Sequence, residues 1–265
     1  GYWDKYISVI SHPKLLSALM PFERVLEFRM RSIKGFEERW NCDQFRMAGD
    51  IQTEWERQVR APLLKLSQED TERGWACLEK MGVPRGAWFV ALHVRDDGFK
   101  GFDPLHALRN AEIASYYSAI KAITDRGGWV IRMGDPKMRP MAEMPQTIDY
   151  AHSPLRSDWM DVFLWGAARF FIGGNSGPSW IPHCFGVPCI RANWIPMTRL
   201  PWTGQDLMLP KLVVSEKEKR YLSFGEIVDP TGPVGWTHSI EALRERGLSV
   251  LDNSAEDLRN ATEEM

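Results

Sequence analysis

Cysteine is scarce in this 265-residue sequence, and neither sign of charge dominates it. The four cysteines form no CxxC pair and no cluster with histidine at zinc-site spacing, which excludes a disulfide scaffold and a zinc finger. We expect them to be reduced, as in a cytoplasmic protein. Lysine and arginine number 33 against 35 acidic residues, and the resulting net charge of -2 attracts neither nucleic acid nor anionic lipid. We therefore expect no nucleic-acid partner.

The short motifs of common nucleotide and hydrolase sites are also missing. No GxxxxGK[ST] is present, which excludes a P-loop NTPase, and no GxGxxG follows a predicted strand. The segment GNSGP has proline at position 178, where a GxSxG nucleophile elbow needs glycine. No DxD pair stands at a strand end. We therefore expect no metal ion and no other cofactor.

One stretch, RFFIGGNSGPSWIPHCFGVPCIR at 169–191, has no acidic or basic side chain between its terminal arginines except His183. It is long enough to cross a bilayer, but its glycines and prolines would leave main-chain groups unsatisfied in lipid. We therefore expect no transmembrane segment and a cytoplasmic location, with attachment to the inner membrane surface left open. The stretch instead predicts a strand at Phe170–Ile172, a loop at Gly173–Pro178, a short helix at Ser179–Phe185 and a strand at Pro188–Ile190.

From about residue 88 the sequence alternates between strand and helix patterns. WFVALHVR is a nearly continuous apolar run, which is typical of a parallel strand covered on both faces. It is followed by a helix, two strands and a second helix with Ser157 or Asp158 as its N-cap: NAEIASYYSAIKAITDRGG, WVIRM, QTIDYA and SDWMDVFLWGAARF. The alternation predicts an α/β fold with a doubly wound, Rossmann-like parallel sheet over residues 88–265.

The regions on either side of this alternation read differently. Residues 1–87 predict a mainly helical segment, with helices in PFERVLEFRMRSIKGFEERW and DIQTEWERQVR and a capping signal from Ser67 to Asp70. Residues 193–238 are rich in proline, tryptophan and glycine, which predicts long loops at the rim of a site and one helix around Glu216–Phe224. A helix, a strand and a last helix close the chain: SIEALRERG, LSVLD and NSAEDLRNATEEM.

Polar residues follow each of the four predicted strands at its carboxyl end. The carboxyl ends of parallel strands meet at one edge of a sheet, where ligands bind in open α/β folds. We therefore expect one ligand site to which all four strands contribute: His93, Arg95, Asp96 and Asp97 from the first, Arg132, Gly134 and Asp135 from the second, Asp149 from the third, and Asn175, Ser176 and Gly177 from the fourth.

These residue types suit a phosphorylated ligand. Arg95 and Arg132 offer forked donors for phosphate oxygens. The glycines of the loop 173–178 let main-chain N–H groups approach an anion closely, with the Ser176 hydroxyl beside them. His93 lies two residues before Arg95, so it shares a face of the strand with Arg95. A buried structural histidine is the alternative interpretation of His93.

Five segments resemble a group of bacterial glycosyltransferases: WFVALHVRDDGF, RNAEIASYY, GGWVIRMGDPKM, IDYAHSPLRSDWMDVFLWGAARFFIGGNSGPS and FGVPCIRANW. The resemblance covers about residues 60–265, and HVRDD is distantly similar to the H-x-R motif of α1,6- and protein O-fucosyltransferases. It implies a GT-B architecture whose C-terminal Rossmann-like domain holds a nucleotide-sugar without metal. It further implies that Arg95 contacts the donor diphosphate, and that Arg132, Asp135 and the Asn175–Gly177 loop line the nucleotide site. The chain departs from GT-B enzymes in residues 1–87, which are too short and too helical to form a second Rossmann-like domain.

The residues and the resemblance together predict a metal-independent glycosyltransferase. It would move a sugar from a nucleotide-sugar to a glycan or another hydroxyl acceptor. A GDP-linked sugar is one candidate donor. Arg95 would neutralise the charge that develops on the leaving diphosphate, and Asp96 or Asp97 would take the acceptor's proton, with His93 contacting the same ligand. A GT-B-like sugar-nucleotide epimerase and a non-catalytic nucleotide- or carbohydrate-binding module are the alternatives.

Overall fold

A computed structural model describes residues 52–98, 107–195, 203–229, 231–235 and 239–265. The helix predicted in residues 21–40 lies outside these ranges, whereas residues 52–57 are helical as DIQTEWERQVR predicts. The α-helices that follow are α1 (Gln68–Lys80), α2 (Tyr117–Thr124), α3 (Asp158–Ala167), α4 (Ile181–Cys184), α5 (Phe224–Val228), α6 (Ile240–Glu245) and α7 (Ala255–Glu264). No helix within the described ranges combines the length and apolar character needed to cross a membrane.

A six-stranded parallel sheet forms the centre of the fold, with strand order β3-β2-β1-β4-β5-β6. Its strands are β1 (Phe89–His93), β2 (Trp129–Arg132), β3 (Thr147–Asp149), β4 (Phe170–Gly173), β5 (Cys189–Trp194) and β6 (Leu207–Pro210). This is the strand order of a doubly wound Rossmann fold. The predicted fold class is therefore confirmed.

Successive residues of β1 pack on opposite faces of the sheet, which explains why the strand is apolar from Phe89 to Leu92. Phe89 and Ala91 pack in one core with residues of α1 and α3, whereas Val90 and Leu92 pack in another with residues of α2 and α7. The helices thus cover the sheet on both sides. Burying each large apolar side chain in these layers stabilises the fold by about 1.5–3 kcal/mol.

The capping signal at Ser67 is confirmed. The Ser67 hydroxyl accepts the N–H of Asp70 at 3.0 Å and donates to the Asp70 carboxylate at 2.6 Å, so α1 begins there. Of the two candidate N-caps of α3, Ser157 occupies the position. Helix α1 packs against the sheet through Leu78, although it precedes residue 87. The proposed domain boundary at 87 stays a prediction.

The predicted helix at Ser179–Phe185 is shorter and less regular in the structure. A 3-10 turn, Gly177–Trp180, precedes a single α-helical turn, α4. Pro178 and Pro182 lie at the starts of these two turns, where their missing N–H groups cost least. The strand that follows is β5, which begins at Cys189, within the predicted start at Pro188–Ile190, and continues to Trp194.

The prediction of a helix around Glu216–Phe224 is wrong. A hairpin of β7 (Leu212–Ser215) and β8 (Arg220–Tyr221) occupies most of this region, and α5 begins only at Phe224. With β9 (Leu248–Leu251) the hairpin forms a second, antiparallel sheet in the order β8-β7-β9. In β7, Val213 and Ser215 are buried, whereas Leu212 is exposed and Val214 is half-buried, and residues 216–219 form the exposed turn of the hairpin.

Candidate functional site

A cavity of about 330 Å³ lies at the carboxyl ends of the central strands. The chain runs from β1 outward to β2 and from β4 outward in the opposite direction to β5, so the junction of β1 and β4 is the topological switch point of the sheet. The cavity wall is formed by Arg109, by Arg156 before α3, by Asp161 and Trp165 of α3, and by residues at or after the ends of β1, β2 and β4: His93, Arg95, Asp96, Gly134, Asp135, Met138, Ser176, Gly177 and Pro178.

The structure brings together most of the residues predicted from the strand ends. Those on the cavity wall are His93, Arg95, Asp96, Gly134, Asp135, Ser176 and Gly177. The predicted residues that do not line the cavity are Asp97, Arg132, Asp149 and Asn175.

Arg132 and Asp149 form an internal ion pair. The guanidinium of Arg132 is fully buried, and its Nη1 donates to the Asp149 carboxylate at 3.0 Å while Nη2 donates to the main-chain oxygen of Arg139 at 2.9 Å. The Asp149 carboxylate also accepts the N–H of Met141 at 3.0 Å and contacts Nδ1 of His152 at 2.9 Å. Their polar atoms are thus turned to each other, and a role of Arg132 and Asp149 in ligand binding stays a prediction.

Asn175 and Asp97 likewise hold loops in place. The side-chain amide of Asn175 is buried and donates to the main-chain oxygen of Ile195 at 2.9 Å, which ties the loop after β4 to the end of β5. Asp97 points to Arg139, with 3.5 Å between carboxylate and guanidinium. Contact of these two residues with a ligand likewise stays a prediction.

Three arginines reach the cavity from three different segments of the chain. Nη1 of Arg95 donates to the side-chain oxygen of Asn110 at 3.4 Å. Nε of Arg156 donates to the main-chain oxygen of Gly134 at 3.1 Å, and its Nη2 lies 3.8 Å from the Asp161 carboxylate. With Arg109, they place several forked donors around one space, an arrangement suited to phosphate or carboxylate groups.

The loop after β4 contributes main-chain groups to the same space. Gly173 must be glycine, because a Cβ there would lie 2.4 Å from the Phe171 ring and 2.9 Å from the main-chain oxygen of His93. At Gly177 a Cβ would meet nothing within 4 Å, so the main chain borders open space. The Ser179 hydroxyl donates to the oxygen of Gly174, which fixes the loop between these positions. A ligand can therefore approach the main chain closely at Gly177.

His93 is buried beneath the cavity opening and is only 7% exposed. Its pKa falls from 6.5 to about 4, chiefly because burial penalises the charged form, and further because of the nearby positive charges of Arg132 and Arg95. Nδ1 lies 3.4 Å from the Ser176 hydroxyl. Neutral His93 can therefore exchange a hydrogen bond with Ser176 and adds no charge to the site at pH 7.

Two carboxylates of the cavity wall shape the loops that carry them. Asp96 accepts the N–H of Gly98 at 2.8 Å through one oxygen and the N–H of Arg139 at 2.9 Å through the other. Asp135 accepts the N–H of Lys137 at 2.9 Å. Within the described part of the chain, no group of three or more histidine, cysteine or acidic side chains is arranged to hold a metal ion.

Sequence reasoning missed the contribution of α3. Asp161 and Trp165, one helical turn apart, both line the cavity, and burial raises the pKa of the Asp161 carboxyl. Asp161 Oδ1 and Trp165 Nε1 are buried and have no hydrogen-bond partner among the described residues. The available signal was an acidic residue within the apolar run WMDVFLW, because a carboxylate is rarely buried unless another group pairs with it. Arg109 and Arg156 stand in loops and carried no such signal.

Comparison with solved structures finds the crystal structure of the glycosyl transferase family 9 protein from Veillonella parvula DSM 2008, with 12% sequence identity and a TM-score of 0.46. The match covers 76% of this chain and 52% of that chain, so this chain spans about half the length of the protein it matches. No protein-family model matches the sequence. No curated protein matches it either.

Proposed function

We propose that the protein is a glycosyltransferase and that the cavity binds its nucleotide-sugar donor. The observation that supports this most directly is the meeting of Arg95, Arg109 and Arg156 with the open main chain at Gly177, at the switch point of a Rossmann-like sheet. Such switch points are where doubly wound sheets hold nucleotides. The cavity volume of about 330 Å³ also suits a small ligand.

The diphosphate of the donor would lie among the arginines. Two of its oxygens can accept parallel N–H bonds from one guanidinium, and main-chain N–H groups of the loop at Ser176 and Gly177 would donate to it as well. Neutral His93 can orient the Ser176 hydroxyl toward the phosphate without adding charge. Negative charge grows on the diphosphate as the sugar leaves. Hydrogen-bond donors that are already in place therefore stabilise the transition state more than they stabilise the bound nucleotide-sugar.

Asp161 and Trp165 would recognise the rest of the donor. Asp161 Oδ1 and Trp165 Nε1, a buried acceptor and a buried donor without a partner among the described residues, complement a ligand edge that presents an N–H group beside a carbonyl. Nucleobases with a lactam edge carry such a pair, and a GDP-linked sugar is one donor of this kind. Sugar hydroxyls, which both donate and accept, would satisfy the same two atoms.

For proton transfer from the acceptor, Asp96 is the predicted carboxylate that lies in the cavity, whereas Asp97 is paired with Arg139 outside it. We therefore assign the base role to Asp96. The six-stranded sheet provides one Rossmann-like unit. A GT-B enzyme would carry the acceptor on a second unit, and this arrangement is part of the proposal. The glycan or other hydroxyl acceptor would enter from the open side of the cavity.

Substitution of Arg95 tests the proposal. We expect Arg95→Ala to fold normally and to lower kcat by roughly two to three orders of magnitude, the usual effect of removing one strong electrostatic donor. Arg95→Lys, which keeps the charge without the planar fork, should keep part of the activity. Arg139→Ala is the matched control, because this exposed guanidinium pairs with Asp97 and Glu112 away from the cavity.

The measurement begins with a thermal-shift screen of GDP, UDP and their sugar conjugates, followed by kcat and donor Kd for each variant with a panel of acceptors. A folded Arg95→Ala protein that turns over like the parent would remove Arg95 from the site. Conversion of a nucleotide-sugar in the absence of any acceptor would favour the epimerase. Tight donor binding without transfer to any acceptor would favour the binding module.

A further inference from the structure

Lys211 is a buried cation that does not itself line the cavity. It stands directly before β7 and is 4% exposed. Its Nζ donates to the main-chain oxygen of Asn110 at 2.7 Å and to the carboxylate of Asp252 at 2.5 Å. Lysine is almost never this buried unless its charge is paired. The role of Lys211 therefore depends on the segment that it holds.

That segment, residues 107–111, carries one cavity arginine and contacts another. Arg109 lies on the cavity wall, and the next residue, Asn110, accepts a hydrogen bond from Nη1 of Arg95 at 3.4 Å. The N–H of Ala111 donates to the main-chain oxygen of Arg95 at 2.9 Å. Asn110 is thus held through its main chain by Lys211 and holds Arg95 through its side chain.

The second, antiparallel sheet anchors the same segment by packing. Leu108 is 1% exposed and belongs to a core with Trp194 of β5, Val213 of β7 and Leu248 of β9. Leu108 and Asn110 are therefore both fixed on this side, while Arg109 between them extends into the cavity. An apolar contact alone fixes the depth of a loop, whereas the hydrogen bond from Lys211 also fixes the orientation of its peptide groups.

We propose that Lys211 is a positioning residue for the anion site: acting through Asn110, it sets Arg95 and Arg109 in the geometry that receives the diphosphate. This inference rests on the proposed function, because it assigns the arginines to the phosphates of the donor. When a flexible arginine binds an anion, the entropy lost in ordering its side chain lowers the affinity. An arginine on a loop that is already ordered therefore binds the anion more tightly. Asp252 offsets the charge of Lys211, which leaves geometry as its main contribution.

The test compares Lys211→Met, Lys211→Arg and the parent by calorimetric titration with inorganic pyrophosphate and by amide hydrogen exchange. Methionine keeps the length of the side chain and removes its donors, and Asp252, which is 39% exposed, can then turn to water. We expect Lys211→Met to weaken pyrophosphate binding at least tenfold and to raise exchange within 107–111 at least tenfold. Lys211→Arg should recover part of the affinity. Lys121→Met is the matched control, because Lys121 pairs with Asp125 on the exposed surface of α2, and it should change neither quantity.

A Lys211→Met protein that binds pyrophosphate like the parent overturns the positioning role and leaves the proposed function intact. Faster exchange across the whole six-stranded sheet also overturns it, because Lys211 would then serve overall stability. If the parent itself does not bind pyrophosphate, the proposed anion site fails and the inference fails with it. If Lys211→Met does not fold, Asn110→Ala decides: it removes the partner of Arg95 while Lys211 remains, and parent-like affinity there overturns the proposal.

Discussion

Lowering the pH should destabilise this protein through His93. The unfolded chain takes up a proton on this residue near pH 6.5, whereas the folded protein does so only near pH 4. Between these values the unfolded state binds more protons, so the free energy of unfolding falls as the pH falls. The contribution of His93 is complete above pH 6.5 and is lost as the pH approaches 4. The difference between the two pKa values corresponds to roughly 3 kcal/mol of unfolding free energy.

His93→Asn removes the titrating group and keeps a polar atom near the Ser176 hydroxyl, which lies 3.4 Å from Nδ1 in the parent. Urea unfolding of both proteins, followed by tryptophan fluorescence, gives the free energy of unfolding at each pH. Between pH 7.5 and 4.5 the parent should lose roughly 2–3 kcal/mol more than His93→Asn. Other titrating groups are common to both proteins, so the difference isolates His93.

Parallel stability curves for the two proteins would refute the reasoning, because they would mean that His93 titrates alike in the folded and unfolded chains. Proton NMR of the imidazole supplies an independent reading of the same quantity. A signal that titrates near 6.5 in the folded protein would show that burial and the charges of Arg132 and Arg95 do not act on it as the structure indicates.

The remaining predictions concern α3, its contact with α1, and metal. Asp161→Asn should raise the free energy of unfolding at pH 7 to 8, because burial raises the pKa of this carboxyl and so disfavours its ionised form in the folded state. The same change should weaken nucleotide binding at least tenfold. A nucleotide Kd equal to the parent's would remove Asp161 from the site. Gly74→Ala should destabilise the protein by about 1–3 kcal/mol in urea, because the new Cβ would lie 2.3 Å from the Phe163 ring. Gly225→Ala on α5, whose Cβ meets nothing closer than 4.0 Å, is its control, and equal stabilities would contradict the packing of α1 on α3. Sugar transfer should persist in EDTA, and its loss with recovery on adding Mg²⁺ or Mn²⁺ would reveal a metal requirement.

The central strands could be predicted because burial on both faces demands apolar residues at every position. β1, β2 and β4 meet this condition except at the carboxyl ends of β1 and β2, where His93 and Arg132 stand, and each appears where its apolar run indicated. β6 does not meet it: Leu207–Pro210 is half-buried, short and ends in proline, so nothing in its composition separated it from the surrounding loop. The hairpin of β7 and β8 was not predicted for a related reason, because the lysine and glutamate residues of its turn also favour helices.

The site was predictable only where it depends on strand ends. The carboxyl edge of a parallel sheet gathers whatever follows the strands, so His93, Arg95 and Ser176 could be placed together from their positions alone. Asp161 and Trp165 lie within a helix, and whether a helical residue faces a cavity depends on how the helix is rotated against the sheet. That rotation is set by packing, such as the contact of Phe163 with Gly74, which one sequence does not display.

Arg132 shows why a charged strand end cannot be assigned from its position alone. In the register of the sheet, Arg132 on β2 pairs directly with Asp149 on β3, so the two side chains share a face and neutralise each other. The sequence supplies both residues but not the register that joins them. Arg132 nevertheless acts on the site at a distance, because its charge, after burial, is the largest influence that lowers the pKa of His93. The buried charge of Arg132 thus adds to the effect of burial on His93, whereas the arginines of the cavity wall are the ones that reach the predicted ligand site.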